Sequence, residues 1–86
     1  MAKYELRFKK SVAKDLRGIS SRRDVKKLLQ RIEALALEPR PPGSKKLSDQ
    51  EYYRIRQGSY RIVYEISDQQ LLVHVIKVAQ RSRAYR

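Results

Sequence analysis

The chain has 86 residues and a mass of 10.2 kDa, enough for one hydrophobic core and too short for two, so residues 1–86 are read as a single domain. The absence of cysteine excludes a disulfide framework, a zinc ribbon and a thiol nucleophile. Lys and Arg number 21 against 9 Asp and Glu, a net charge of +12 that exceeds the needs of solubility and implies a polyanionic partner.

With 41% hydrophobic residues in ordered patterns, the chain is expected to fold. No run approaches the roughly 18 to 20 apolar residues that a membrane span needs, so no membrane partner is expected. Met1 leads straight into Ala2-Lys3-Tyr4 without an apolar signal segment, and the expected location is cytoplasmic.

Tyr4, Leu6 and Phe8 alternate with Glu5 and Arg7, the period of two of a half-buried strand. Phe8, Val12, Leu16 and Ile19 then recur at steps of four and three, predicting a two-turn helix that Gly18 closes. Ser20 and Ser21 are candidate caps for a second helix. Its apolar face is Val25, Leu28, Leu29, Ile32, Leu35 and Ala36; its outer face carries Arg22, Arg23, Lys26, Lys27 and Arg31. Pro39 stops that helix near Glu38, giving about 16 residues and a length of roughly 24 Å. Pro39-Arg40-Pro41-Pro42-Gly43 reads as the loop that breaks the helix before a sheet; its Pro-x-x-Pro spacing needs no peptide-recognition role. Three antiparallel strands follow: Tyr52 to Arg56, Arg61 to Ile66 and Leu71 to Val78, with turns at Gly58-Ser59 and Ser67-Gln70. The fold class is α+β: an N-terminal strand, two helices, then a three-stranded antiparallel meander, forming one twisted sheet.

If Gly58-Ser59 is a two-residue hairpin loop, Arg56 faces Arg61, Ile55 faces Ile62 and Tyr53 faces Tyr64. One face then carries Tyr53, Ile55, Ile62, Tyr64 and Ile66, while Arg54, Arg56 and Arg61 share the other. Like charges opposed across a strand pair are destabilising, and guanidinium forks suit phosphate, so this face is a candidate site for a phosphodiester backbone. The same register pairs Ile62 with Val75 and Tyr64 with Val73. It places Leu72, His74, Ile76 and Val78 on the arginine face, with His74 near Val63. Gln80 to Arg86 add Arg81, Arg83 and Arg86 without an acid, a basic end suited to forming a second wall of the same cleft. There is no Walker loop, no GxGxxG, no two-histidine arrangement and no acidic cluster with metal-ligand spacing, so no metal is expected.

Lys45-Lys46-Leu47, the run Tyr52 to Ile66 with its Gly-x-Tyr-Arg-x-x-Tyr, and Val75 to Arg86 with its terminal Arg-x-x-x-Tyr resemble the RelE/ParE toxin superfamily. The likeness extends through the Phe8-Lys9-Lys10-Ser11 start and favours the RelE-like branch. It implies a type II toxin held by a cognate antitoxin, with a RelE-like fold and no cofactor. RelE-type members enter the ribosomal A site and cut mRNA by attack of the ribose 2′-OH on the scissile phosphate, so the implied partners are the ribosome and mRNA. Arg61, Arg81 and Tyr85 match the family's catalytic positions. Arg54 and Arg56 match two basic strand residues that are lysines in RelE, and with Arg83, Lys45 and Lys46 they are the expected RNA contacts. Arginine stays protonated, so Arg54 and Arg56 bind charge without accepting a proton, leaving Tyr85 as the candidate base. Two residues fewer separate arginine from tyrosine here than in RelE, which makes Arg83 the alternative to Arg81. The ParE branch shares the fold and poisons DNA gyrase without cutting RNA; it is the alternative function.

Overall fold

The computed structural model describes residues 3–47 and 51–80. The first strand, β1 (Glu5–Phe8), leads through extended Lys9 into helix α1 (Lys10–Arg17). Gly18 caps α1 in the right-handed region at φ −75°, its N–H closing onto the carbonyls of Lys14 and Asp15. Helix α2 (Arg22–Ala34) starts at Ser21, whose hydroxyl accepts the Asp24 N–H at 3.2 Å and satisfies a first-turn donor. This helix is shorter than its apolar period suggests. After Ala34 the chain tightens: the N–H groups of Leu35 and Ala36 reach back three residues to Ile32 and Glu33, and this turn buries both side chains before Pro39.

Four further strands complete the sheet: β2 (Lys45–Lys46), β3 (Tyr52–Gln57), β4 (Tyr60–Ser67) and β5 (Leu72–Gln80). Their order is β1-β5-β4-β3-β2, with β1 parallel to β5 and the other pairs antiparallel. The expected α+β architecture is present, with two-residue β2 added at the edge. The helices cover one face only. Val12 from α1 and Leu28, Ile32 and Leu35 from α2 and its last turn pack on Tyr53, Ile55, Ile62, Tyr64, Ile66, Val73, Val75 and Val78. Burial of each such side chain contributes about 1.5 to 3 kcal/mol relative to exposure.

The β3–β4 hairpin has the expected register, Arg56 opposite Arg61 and Tyr53 opposite Tyr64, with Gly58 at φ 60° supplying the left-handed residue of the turn. The β4–β5 register differs from expectation. Tyr64 opposes Val75 instead of Val73, because Ser67 still pairs with Leu72 and the turn runs from Asp68 to Leu71, with Leu71 left-handed at φ 51°. Leu72 and His74 keep their expected face, but His74 lies opposite Glu65 and not beside Val63. An irregularity at Val63/Tyr64 then sets Ile76 and Lys77 against Val63, and beyond this bulge the facing inverts. Val78, expected on the arginine face, is buried in the core opposite Ile62.

At the Asp68 end, the loop after α2 is clasped to the sheet. Arg40 donates to both carboxylate oxygens of Asp68 at 3.2 and 2.9 Å and through Nε to the Tyr53 hydroxyl at 3.0 Å, and its guanidinium lies 5.1 Å from the Tyr53 ring centroid. Tyr4 donates to Asp68 at 2.7 Å, Tyr53 to Glu51 at 2.8 Å, and Tyr64 to the Pro39 carbonyl at 2.7 Å. Tyr53 and Tyr64 stack with centroids 6.0 Å apart. The Arg40 hydrogen bonds, then that of Tyr4, hold the Asp68 carboxyl below its usual range, while Asp68 and then Tyr53 hold Arg40 still more firmly protonated. Burial pushes the Tyr64 phenol up to about 12.

Candidate nucleic-acid interface

The face of the sheet away from the helices carries the candidate site, organised as rungs that run across the strands. At the Gly58 end, Arg56 on β3 opposes Arg61 on β4, which opposes Ala79 on β5. The next rung along places Lys45 beside Arg54, and Arg54 opposite Val63. Neighbouring strands lie about 4.8 Å apart and residues two apart on a strand about 6.7 Å, so Lys45, Arg54, Arg56 and Arg61 occupy one small patch. An extended polyanion laid across this face would meet several cations at once.

The members differ in setting. Arg54 is 9% exposed, so it is a packed wall of the patch; Arg56 is exposed and Arg61 half-buried. A guanidinium held partly out of water acts on phosphate through a lower local dielectric and loses less side-chain entropy on binding. Lys46 shares its face with Tyr53, its ammonium 4.0 Å from Glu51, so it points toward the clasp and not toward the arginines. Arg81, Arg83 and Tyr85 lie outside the described residues.

Arg61 also lines a cleft of about 880 Å³ between α1 and the end of β5, together with Ser11, Lys14, Tyr60, Lys77 and Gln80. The cleft lies where β1 ends at Phe8, opposite Val75, while β5 runs on to Gln80, paired with β4 on its other side. Asp15 of α1 replaces the missing strand, accepting the Val78 N–H at 3.2 Å and the Lys77 ammonium at 2.9 Å. Its only sequence signal is that Asp15 is the single acid among Lys9, Lys10, Lys14 and Arg17. Among the described residues, no group of three or more His, Cys, Asp or Glu is placed to hold a metal ion, and no helix is long and apolar enough to cross a membrane.

Chemically, the patch can bind and stabilise negative charge. Lys45, Arg54, Arg56 and Arg61 are hydrogen-bond donors, and the arginines cannot take a proton at neutral pH. His74 is two rungs from Arg61, across from Glu65, with its Nδ1 3.9 Å from the Glu65 carboxylate, too far along the strand to serve at the arginine pair.

The family model of the ParE toxin of the type II toxin-antitoxin system parDE matches residues 6–85. Among solved structures, the chain is similar to the archaeal RelE–RelB complex from Pyrococcus horikoshii OT3, at 26% identity and a TM-score of 0.83 over 96% of this chain and 99% of that one. It is also similar to the intact RelBE toxin–antitoxin complex of E. coli, at 26% identity and a TM-score of 0.77 over 90% of this chain and 95% of that one. The isolated E. coli RelE toxin gives 27% identity and a TM-score of 0.78 over 95% and 90%. Comparison with curated protein sequences finds no match.

Proposed function

Because the chain belongs to the ParE toxin family of type II toxin–antitoxin systems and is RelE-like within the RelE/ParE superfamily, we propose that it is a ribosome-dependent mRNA endoribonuclease. The observation that carries this reading is the Arg56–Arg61 pair with Arg54 and Lys45 one rung away. A fold selected for stability alone would separate like charges across a strand pair; a site for a transferring phosphoryl group gathers them.

In this mechanism the ribose 2′-OH attacks the adjacent phosphorus, the 5′-oxygen leaves and takes a proton from water to become the 5′-hydroxyl of the downstream fragment, and a 2′,3′-cyclic phosphate remains. Arg61 and Arg81 stabilise the charge that develops on the phosphorane oxygens, while Arg54, Arg56, Lys45 and Arg83 hold the flanking RNA; Lys46, turned toward the clasp, takes no part. Tyr85 takes the 2′-OH proton or stacks on the reacting nucleotide. The ribosome aligns the 2′-OH in line with the phosphate, the positioning that a patch of cations does not provide alone. No metal or cofactor enters these steps. The cognate antitoxin is an acidic or amphipathic segment that covers the basic surface, in keeping with the antitoxin-bound states of the RelE complexes above. The site of action is the cytoplasm.

Primer extension on translated mRNA, set beside a gyrase cleavage assay with the same protein, tests the assignment. The expected result is cuts within ribosome-bound codons and little cleavage of free RNA. The family match itself favours a second reading, poisoning of DNA gyrase; stabilised gyrase–DNA breaks with intact mRNA would establish it in place of the first.

A further inference from the structure

The open face of the sheet does not end at the arginines. Two rungs from the Arg56–Arg61 pair, Tyr52 on β3 opposes Glu65 on β4, Glu65 opposes His74 on β5, and His74 opposes Arg7 on β1. Tyr52 is half-buried and the Glu65 side chain is 43% exposed, so both are accessible. Between this rung and the Arg56–Arg61 pair lies the rung of Arg54 and Val63, with Ile76 beside Val63; Val63 and Ile76 are half-buried on a face that no helix covers. Arg7 is already engaged with Glu5 at 2.8 Å, and His74 flanks Glu65 at 3.9 Å.

A carboxylate about 13 Å along the strand from Arg61 and one rung from Arg54 weakens the hold on any polyanion, so Glu65 acts against generic affinity. Carboxylates in nucleic-acid sites read bases: they accept from an exocyclic amino group, as with cytosine N4, and uracil offers no such group there. Unstacked bases of single-stranded RNA seek aromatic faces and expose their Watson–Crick edges, and Tyr52 stands directly beside Glu65. The arginine pair, then a rung that sets Arg54 beside apolar Val63, then an aromatic ring with an acceptor follow one another along the strands, the order in which an extended nucleotide presents phosphate, sugar and base.

We propose that Tyr52 and Glu65 form a base-reading subsite on the open face, taking one unstacked base of the RNA held by the arginines and selecting bases with an amino group on the Watson–Crick edge. The inference rests on the ribonuclease reading. Its test uses ribosomes programmed with mRNAs that differ only by cytosine or uracil at each position of the A-site codon. At one position the wild type is expected to cut the cytosine codon about tenfold faster, and Glu65→Gln to bring that ratio to within about twofold. Tyr52→Ala lowers cutting at that codon while Tyr52→Phe retains it, because the ring does the stacking. A cytosine-to-uracil ratio in Glu65→Gln equal to that of the wild type, with cutting intact, overturns the subsite and leaves the ribonuclease assignment standing; a wild type that cuts no programmed ribosome overturns both. Should Glu65→Gln fail to fold, NMR titration of the wild type carries the same test. Larger amide shifts at Tyr52 and Glu65 with a cytosine-rich oligoribonucleotide than with its uracil counterpart support the subsite; equal shifts overturn it.

Discussion

The two ends of the β3–β4 hairpin hold arginines in opposite ways. At the Asp68 end, Arg40 meets a bidentate carboxylate, a phenol and an aromatic ring, and every charge there has a countercharge within reach. At the Gly58 end, Arg56 and Arg61 stand opposite one another on neighbouring strands. The same side chain thus fastens a loop to the sheet at one end and stands opposite its own kind at the other. In the proposed function, stability is concentrated at one end and reactivity at the other.

The sharpest way to break this contrast is to remove one arginine from each end. Arg61→Ala is expected to slow ribosome-dependent cleavage by about 10² to 10³ while the protein stays folded, because a donor aimed at developing phosphoryl charge is lost. Arg40→Ala is expected to do the reverse, lowering the melting temperature with cleavage of the remaining folded protein near wild type. Equal losses of activity in the two variants would show that the ends are not functionally distinct. Tyr85→Phe extends the test to the proton: a large loss assigns the hydroxyl a role, whereas normal cutting by Phe and none by Ala assigns stacking.

A smaller effect concerns Tyr64. Tyr64→Phe removes the hydrogen bond to the Pro39 carbonyl and should cost about 1 kcal/mol of unfolding free energy, measured by urea denaturation, without altering cleavage. The phenol also sets an alkaline limit. Its folded pKa is raised from 10.0 to about 12, so the folded state retains the proton after the unfolded chain has lost it. That contribution is complete below pH 10 and is lost as pH rises toward 12. Tyr4, raised chiefly by its hydrogen bond to Asp68, adds to the same limb, and Tyr64→Phe should flatten but not abolish it.

Asp68 gives the smallest and most specific signal. Its folded pKa is depressed, so its contribution is complete above the ordinary value of 3.8 and is lost as pH falls through the folded one. Asp68→Asn should reduce the steepness of acid unfolding and leave the Gly58 end untouched. An unchanged acid limb would mean that the clasp is too well solvated to matter.

Much of this was legible in the sequence because its signals are local. The Gly58-Ser59 turn fixes its own register, so the opposition of Arg56 and Arg61 follows from counting outward from two residues. The apolar periods placed Val12, Leu28, Ile32, Leu35 and Ala36 correctly in the core, while Phe8 and Leu29, expected on the same faces, are exposed. The errors lie where length is decided at a distance. Asp68 to Leu71 gave no hint that the left-handed residue would be a leucine, and the register moved by two. The bulge has no residue signature at Ile76-Lys77; it arises because Val75 and Val78 both find core positions. Arg40 was read as mere loop because its partners, Asp68 and Tyr53, are 28 and 13 residues away.

The bulge makes the length of β5 a constraint in its own right. An uninterrupted alternation would set Val78 beside the arginines and drive Ala79 into the core; the extra residue reverses this and leaves the small methyl of Ala79 opposite Arg61. Deleting Ile76, the residue that the β4–β5 register skips, would restore plain alternation and keep Val78 opposite Ile62 and Ala79 opposite Arg61, whereas deleting Val78 would set Ala79 opposite Ile62 and open a gap in the core. Tolerance to deletion should therefore change within three residues of one strand, present at the bulge and lost at Val78.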